Sequence, residues 1–275
     1  MNISVNEAAR PTLIEDPTNR WFVHPISSSL LAPAMRLGLH PNTVSIAGML
    51  CGAMAGYCYW HWQDPRWVLA GFTCMVGWHI LDGLDGKLAR ASGKASPLGR
   101  VIDGICDYLV FFCVLIPIAL TFPNWQAVLA LGIVAGIFHG LQAGWYQGER
   151  EGWKRRARGV FTPEVRKPTG LWVENNYNKL EARFSAGTPA VDAALRADPQ
   201  ALPLYLATTA PTVRAMALLS TNSRTVTIAL ACLAGDPRLY WYWEIAGLTL
   251  IALALAWRLR RAEARFVQEA AVIGR

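Results

Sequence analysis

Long apolar runs separated by short polar breaks dominate this chain. Residues 43–62, TVSIAGMLCGAMAGYCYWHW, hold no Asp, Glu, Lys or Arg over the about 20 residues that a helix needs to cross a bilayer. After the turn QDPR, residues 67–81, WVLAGFTCMVGWHIL, begin a second span that reaches full length only by continuing into Asp82. A third runs from Leu98 to Phe122 and contains Asp103 and Asp107. Pro123-Asn124 then turns the chain into a fourth over 125–146, and 239–257 is the clearest. Residues 225–235 are too short alone and reach span length only with 213–224, which bring in Arg214, Asn222 and Arg224. Neighbouring segments must re-enter from one side, so this polar stretch is taken as a fifth span facing the bundle. The pattern predicts an all-α integral membrane protein with six transmembrane helices; a five-span chain is the alternative.

Residues 1–42 are expected to form an N-terminal segment, 43–257 the six-span domain and 258–275 a basic cytoplasmic tail. Within 18–40, apolar and polar residues mix in the manner of an interfacial amphipathic helix with Trp21 and Phe22 among the headgroups. Pro25 and Pro33 limit its length. The polar opening, MNISVNEAARPTLIEDPTNR, leads to the expectation that the first span also serves as the insertion signal. Residues 147–211, rich in Arg, Lys, Pro and Gly, read as a cytoplasmic loop with some helix, for instance ENNYNKLEARF. The REGWKRRAR run within it reads as a basic patch facing anionic lipid.

Composition agrees with a membrane setting. Of 275 residues, 53% are hydrophobic and 16% charged, against about 25% charged in soluble domains. Twelve tryptophans fit interfacial belts. The net charge of +7 is assigned to cytoplasmic segments and anionic membrane lipids, not to nucleic acid. With the N-terminus inside, the outer turns carry only Arg66 and Arg238, which satisfies the positive-inside bias. The ends of spans two and three then face the cytoplasm, and the Ala- and Trp-rich, Lys-poor usage suits a bacterial inner membrane. The six cysteines include no CxxC pair and are expected to be buried thiols acting as small hydrophobes.

Residues 82–107, DGLDGKLARASGKASPLGRVIDGICD, break the apolar pattern with four acids. Ionisable groups within spans are costly and are functional candidates by default. Asp82 and Asp85 are three apart and Asp103 and Asp107 four apart, so each pair shares a helix face. The glycines and proline between them allow a tight return that brings the faces together. Four carboxylates repel unless a cation lies among them, and their oxygens suit Mg²⁺, Mn²⁺ or Ca²⁺. Gly86 and Ala89 lie on the face of Asp82 and Asp85 and permit close approach, while Lys87 and Arg90 are expected to add positive charge for a metal-bridged polyphosphate. The bland alternative is structural pairing of the acids with Arg90, Arg100 and Lys94. His79 and His139 are expected to be satisfied bundle residues, and Glu244 to reach the membrane interface.

The stretch resembles the CDP-alcohol phosphotransferases, whose pattern is D-x2-D-G-x2-A-R-x8-G-x3-D-x3-D. Asp82, Asp85, Gly86, Ala89, Arg90, Gly99, Asp103 and Asp107 match it with every gap in place. The PNTVS start of span one, Pro41 to Ser45, is similar more weakly, and the 147–211 loop is not covered. The resemblance implies a dimeric six-helix membrane bundle that breaks the diphosphate of a CDP-linked alcohol. A substituted phosphate passes to the hydroxyl of an acceptor alcohol and CMP leaves. It implies two divalent ions, Mg²⁺ or Mn²⁺, per site, with Asp82, Asp85 and Asp103 as ligands. It implies Asp107 as the base that deprotonates the acceptor and as a further ligand. Gly86, Ala89, Arg90 and Gly99 would shape the nucleotide site, with Asn42 a weaker addition.

Two substrate classes follow from that resemblance. DGKLARASGKASPLG is similar to the DGKQARRTGSSSPLG pattern of the choline/ethanolamine phosphotransferases. Asp103-Gly104-Ile105 departs from their Asp-His-Gly, and the chain is shorter than those ten-span enzymes. CDP-diacylglycerol with a small polar acceptor is therefore the preferred pairing, and CDP-choline or CDP-ethanolamine with a lipid alcohol the alternative. A phosphorylated acceptor would need further cations, for which Arg100, Arg150, Arg214 or Arg224 could serve. A divalent-cation carrier is the remote reading from another class; its acids would be expected near the midplane, often in repeats.

Overall fold

The structure, a computed structural model, describes residues 12–95, 97–162 and 188–273, and for 97–105, 108, 272 and 273 the backbone alone. Among the described residues it is helical throughout, with no strand. The helices are α1 His24–Arg36, α2 Pro41–Trp60, α3 Pro65–Ala91, α4 Pro97–Leu120, α5 Trp125–Ala157, α6 Pro189–Ala197, α7 Leu202–Ala215 and α8 Thr221–Leu233. A last run comprises α9 Arg238–Tyr242, a π-helical turn Trp243–Gly247 and α10 Leu248–Ile273. Residues 174–184, where a helix was expected, lie outside the described residues.

Among the described residues three helices are long and apolar enough to cross a membrane: Pro65–Ala91, Trp125–Ala157 and Arg238–Ala271. Pro199–Leu219 with Thr221–Leu233 makes a fourth if taken as one broken span. The described residues thus form a helical membrane protein with three to four candidate spans by length and composition. α2 and α4 have spanning length, at 20 and 24 residues.

Two compact units divide the chain. The first takes in the described parts of Pro17–Ile137 and Thr221–Ile245. Within it α3 and α4 both pack on α2, while α1 and α8 pack on α3. Glycine makes the α2–α4 contact possible. A Cβ on Gly56 would lie 2.0 Å from the Cys113 carbonyl oxygen, and one on Gly52 would lie 2.6 Å from Val110. Around this contact Ala55, Tyr59, Met75, Trp78, Val110, Phe111 and Val114 form an enclosed apolar core, held by the close van der Waals packing that small residues permit between spans.

Sharp helix ends bracket the acid-bearing segment. His40 caps α2 by accepting from the Asn42 amide at 3.2 Å, with Pro41 in the first turn. Asp64 does the same for α3 through the Arg66 amide. α3 stops at Gly93, whose φ of +69° favours glycine. There Gly93 N donates to Arg90 O and Lys94 N to Ala89 O, a Schellman arrangement that turns the chain back toward α4.

The second unit takes in the described parts of Ser4–Asp16, Phe138–Ser220 and Ala246–Arg275. Much of 147–211, expected as a loop with some helix, is helical: α5 runs on to Ala157, and α6 and α7 follow. Trp153, Val191, Leu195, Tyr205, Leu259 and Phe266 close a second core, so α10 also continues beyond 258 with one buried face. The basic run is drawn into that packing. Arg155 and Arg156, expected to face lipid, both donate to Asp192, and Arg156 also donates to the Tyr205 hydroxyl. Arg260 pairs with Glu149 and Glu263. Helix continuity placed these arginines against acids that sequence proximity did not reveal.

Candidate active site

Aromatic packing sets the two acid helices against each other. Trp78 of α3 meets Phe111 of α4 edge to face, ring centroids 5.8 Å apart. Asp82 lies one turn after Trp78 and Asp107 one turn before Phe111, so both acids occupy the faces that this contact brings together. Asp85 follows a further turn along α3. It is 6% exposed and accepts a hydrogen bond from the Ser45 hydroxyl of α2. Asp82 and Asp107 are half-buried. Asp103 lies within α4, one turn before Asp107, but its side chain, like that of Arg100, is outside the described residues, as is any contact at Gly99.

Gly86 and Ala89 are half-buried on the same side of α3, and Arg90 is exposed at its end. The Arg90 guanidinium folds back over Gly86, whose added Cβ would lie 3.4 Å from Nη1. A cation thus lies over a bare stretch of backbone next to Asp85. Asn42 is exposed in the first turn of α2, three residues before Ser45.

Lys87 is a different matter. Expected among the phosphate-facing cations, it is 6% exposed and its Nζ donates to the His24 carbonyl at 2.8 Å and to the Ser28 hydroxyl, both on α1. Two residues after Asp85, it is carried by the helical period to the opposite side of α3.

Two further expectations are resolved nearby. His79 bonds Thr225 of α8 at 2.9 Å, a satisfied bundle histidine. Glu244, expected at the interface, is 1% exposed and takes a bidentate ion pair from Arg224, itself 0% exposed, with the Tyr240 hydroxyl donating to the same carboxylate. The π-helical turn at Trp243–Gly247 adds a residue to the turn and aims Glu244 inward. Arg224 is therefore engaged by Glu244, not held in reserve for a second phosphate. Of the cysteines, Cys58 and Cys232 are buried as expected while Cys113 is exposed.

The far end of this unit is aromatic. Tyr57, His61 and Trp67 cluster edge to face, and Trp62 stacks on Phe122 while donating to Thr121. From Trp67 to Asp85 along α3 is about 27 Å at 1.5 Å per residue, close to the roughly 30 Å of a hydrocarbon core. The aromatic cluster and the acids thus stand about one hydrocarbon-core thickness apart along α3.

The metal expectation is tested by the donors themselves. Asp82, Asp85 and Asp107 offer the hard oxygen ligands that Mg²⁺ and Mn²⁺ take, so the donor type fits. Among the described residues no three His, Cys, Asp or Glu side chains are gathered closely enough to hold an ion; the fourth acid's side chain is not among them.

Comparison with known proteins identifies the segment that holds this arrangement. Residues 38–145 match the family model described as CDP-alcohol phosphatidyltransferase. An archaetidylinositol phosphate synthase of Pyrococcus horikoshii is 40% identical over 84 residues, 30% of this chain and 43% of that protein. Cholinephosphotransferase 1 of Homo sapiens is 30% identical over 132 residues, 43% of this chain and 30% of that one. A bifunctional IPC transferase and DIPP synthase of Archaeoglobus fulgidus is 31% identical over 110 residues, 40% of this chain and 21% of that one. Each match spans less than half the relative's length. No solved structure matches the chain.

Proposed function

We propose that the protein is a phospholipid-synthesising CDP-alcohol phosphotransferase that moves a substituted phosphate from a CDP-alcohol to an acceptor hydroxyl and releases CMP. The observation that carries this reading is the convergence of the Asp82 and Asp107 faces beside the Trp78–Phe111 contact, within the stretch that matches the family model. Asp82, Asp85 and Asp103 would hold two divalent ions, Mg²⁺ or Mn²⁺, with Asp107 as a further ligand. When bound, such ions neutralise the diphosphate and leave its phosphorus open to attack. Asp107 accepts the proton of the acceptor hydroxyl as that oxygen approaches phosphorus. Ser45 fixes the Asp85 carboxylate by donating to it. Arg90, over Gly86 and beside Ala89, pairs with the nucleotide's phosphate, and Gly99 and Asn42 complete that site.

The preferred donor is CDP-diacylglycerol and the acceptor a small polar alcohol. The departure of Asp103-Gly104-Ile105 from the aminoalcohol pattern supports this, as does similarity to an archaetidylinositol phosphate synthase. The cholinephosphotransferase similarity keeps CDP-choline with a lipid alcohol as the second reading. The further proposals are a homodimer of six-span subunits in a bacterial inner membrane, α1 lying in the headgroup layer and the site facing the cytoplasm. Offering CDP-diacylglycerol and CDP-choline separately to the purified protein, each with a panel of acceptors, tests the donor. CMP from CDP-diacylglycerol alone is expected; CMP from CDP-choline with diacylglycerol would install the second reading.

A further inference from the structure

The back of the acid helix carries a polar arrangement that the transfer chemistry does not use. Gly83 and Lys87 stand one turn apart on α3, turned away from Asp85 and Ala89. An ammonium as enclosed as that of Lys87 requires hydrogen-bond partners, and both that are described, the His24 carbonyl and the Ser28 hydroxyl, belong to α1. One turn earlier Gly83 lets α1 come close: a Cβ there would lie 3.2 Å from Ser27 Oγ and 3.4 Å from Val23. Leu84 and Leu88 of α3 complete the contact with Ala34 of α1 and Val44 of α2. Elsewhere this N-terminal segment exposes the apolar side chains of Trp21, Phe22, Leu30, Met35 and Leu37. The Arg20 guanidinium rests 5.1 Å from the Trp21 ring centre, pairing a cation with an interfacial aromatic.

We infer that Lys87 is a positioning residue that fastens α1 to the back of α3, so that the lipid surface on which α1 rests fixes the depth of Asp82 and Asp85. The functional consequence rests on the transferase reading: a membrane-embedded donor presents its diphosphate at the headgroup layer, and the acids must lie at that level. Lys87 is thereby a mechanical link between bilayer and site and makes no phosphate contact.

The test uses the full chain in nanodiscs of phosphatidylcholine and phosphatidylglycerol, as the unaltered protein, Lys87→Met and Lys87→Arg. Hydrogen exchange of α1 and α3 is followed alongside CMP release at varied surface concentration of lipid donor. In Lys87→Met, α1 amides exchange about tenfold faster or more, as loss of a charged hydrogen bond implies, while α3 keeps its protection. The apparent KM for lipid donor rises several-fold, kcat falls less, and Lys87→Arg restores most of both. Unchanged exchange in α1 of Lys87→Met would overturn the inference. So would loss of protection across α2 and α3 together, which would mark a general stability role. No CMP from the unaltered protein, with faster α1 exchange in Lys87→Met, would sink the transferase reading and leave the link between α1 and α3 standing.

Discussion

Asp85 and Lys87 lie two residues apart and face opposite ways, one toward Ser45 of α2 and the other toward α1. Removing the Ser45 hydroxyl by Ser45→Ala frees the Asp85 carboxylate from its fixed position. Turnover is expected to fall about tenfold, with Ser45→Thr retaining most of it, as measured by steady-state CMP release. Asp107→Asn is expected to cost about 10²–10⁴ in turnover, the range for a general base. It should leave metal-dependent binding of the CDP-lipid partly intact, whereas Asp82→Asn removes that binding. Equal loss of binding in both variants by equilibrium titration would contradict the division of roles. The acids were legible because two pairs at helical spacing in apolar surroundings have few benign explanations. Ser45 was visible only as part of the PNTVS string, since nothing local ties a hydroxyl to a carboxylate forty positions on. Lys87, by its charge a phosphate-facing candidate, lies on the face of α3 opposite Asp85 and bonds α1 instead.

At the scale of elements, α2 is the common support of α3 and α4, and its glycines decide how near they come. Gly56→Ala drives a methyl into the Cys113 carbonyl of α4, and overpacking of this kind costs about 1–3 kcal/mol. A lowered Tm in detergent and reduced CMP release are expected, while Gly136→Ala, with nothing within 4 Å of its added Cβ, is expected to be close to neutral. The Arg224–Glu244 pair joins α8 to the π-helical turn. Glu244→Leu alone strands a buried guanidinium and is expected to cost about 3–5 kcal/mol. Arg224→Met with Glu244→Leu removes both charges and is expected to recover most of that loss. A double variant no more stable than Glu244→Leu, in the same thermal unfolding assay, would show that the pair's geometry holds α8 in place. Helix positions for α2 to α5 followed from apolar length and from Pro, Gly and Asp punctuation. Glu244 did not, because an acid near a helix end normally reaches water, and neither the π-turn nor its buried partner leaves a periodic trace.

For the whole chain, hydrophobic length and the distribution of Lys and Arg set the expected topology, which puts the acids at the cytoplasmic boundary. Lys94, exposed just beyond the end of α3, is accordingly expected to react with an impermeant amine reagent only after cells are opened. Reaction of Lys94 in intact cells would reverse the topology. Within 147–211, read as a loop with some helix, residues 147–157, 189–197 and 202–211 are helical, and Arg155 and Arg156 pair with Asp192. A run that looks solvated in sequence is thus packed. The central claim, that the four acids serve metal-dependent phosphotransfer, is tested most directly by CMP release from the purified protein with Mg²⁺ or Mn²⁺ against EDTA. The account predicts CMP only with metal, donor and acceptor together, and about 10²–10⁴-fold slower release from Asp107→Asn. CMP release undiminished by EDTA, or no CMP from any donor and acceptor pair, would contradict it.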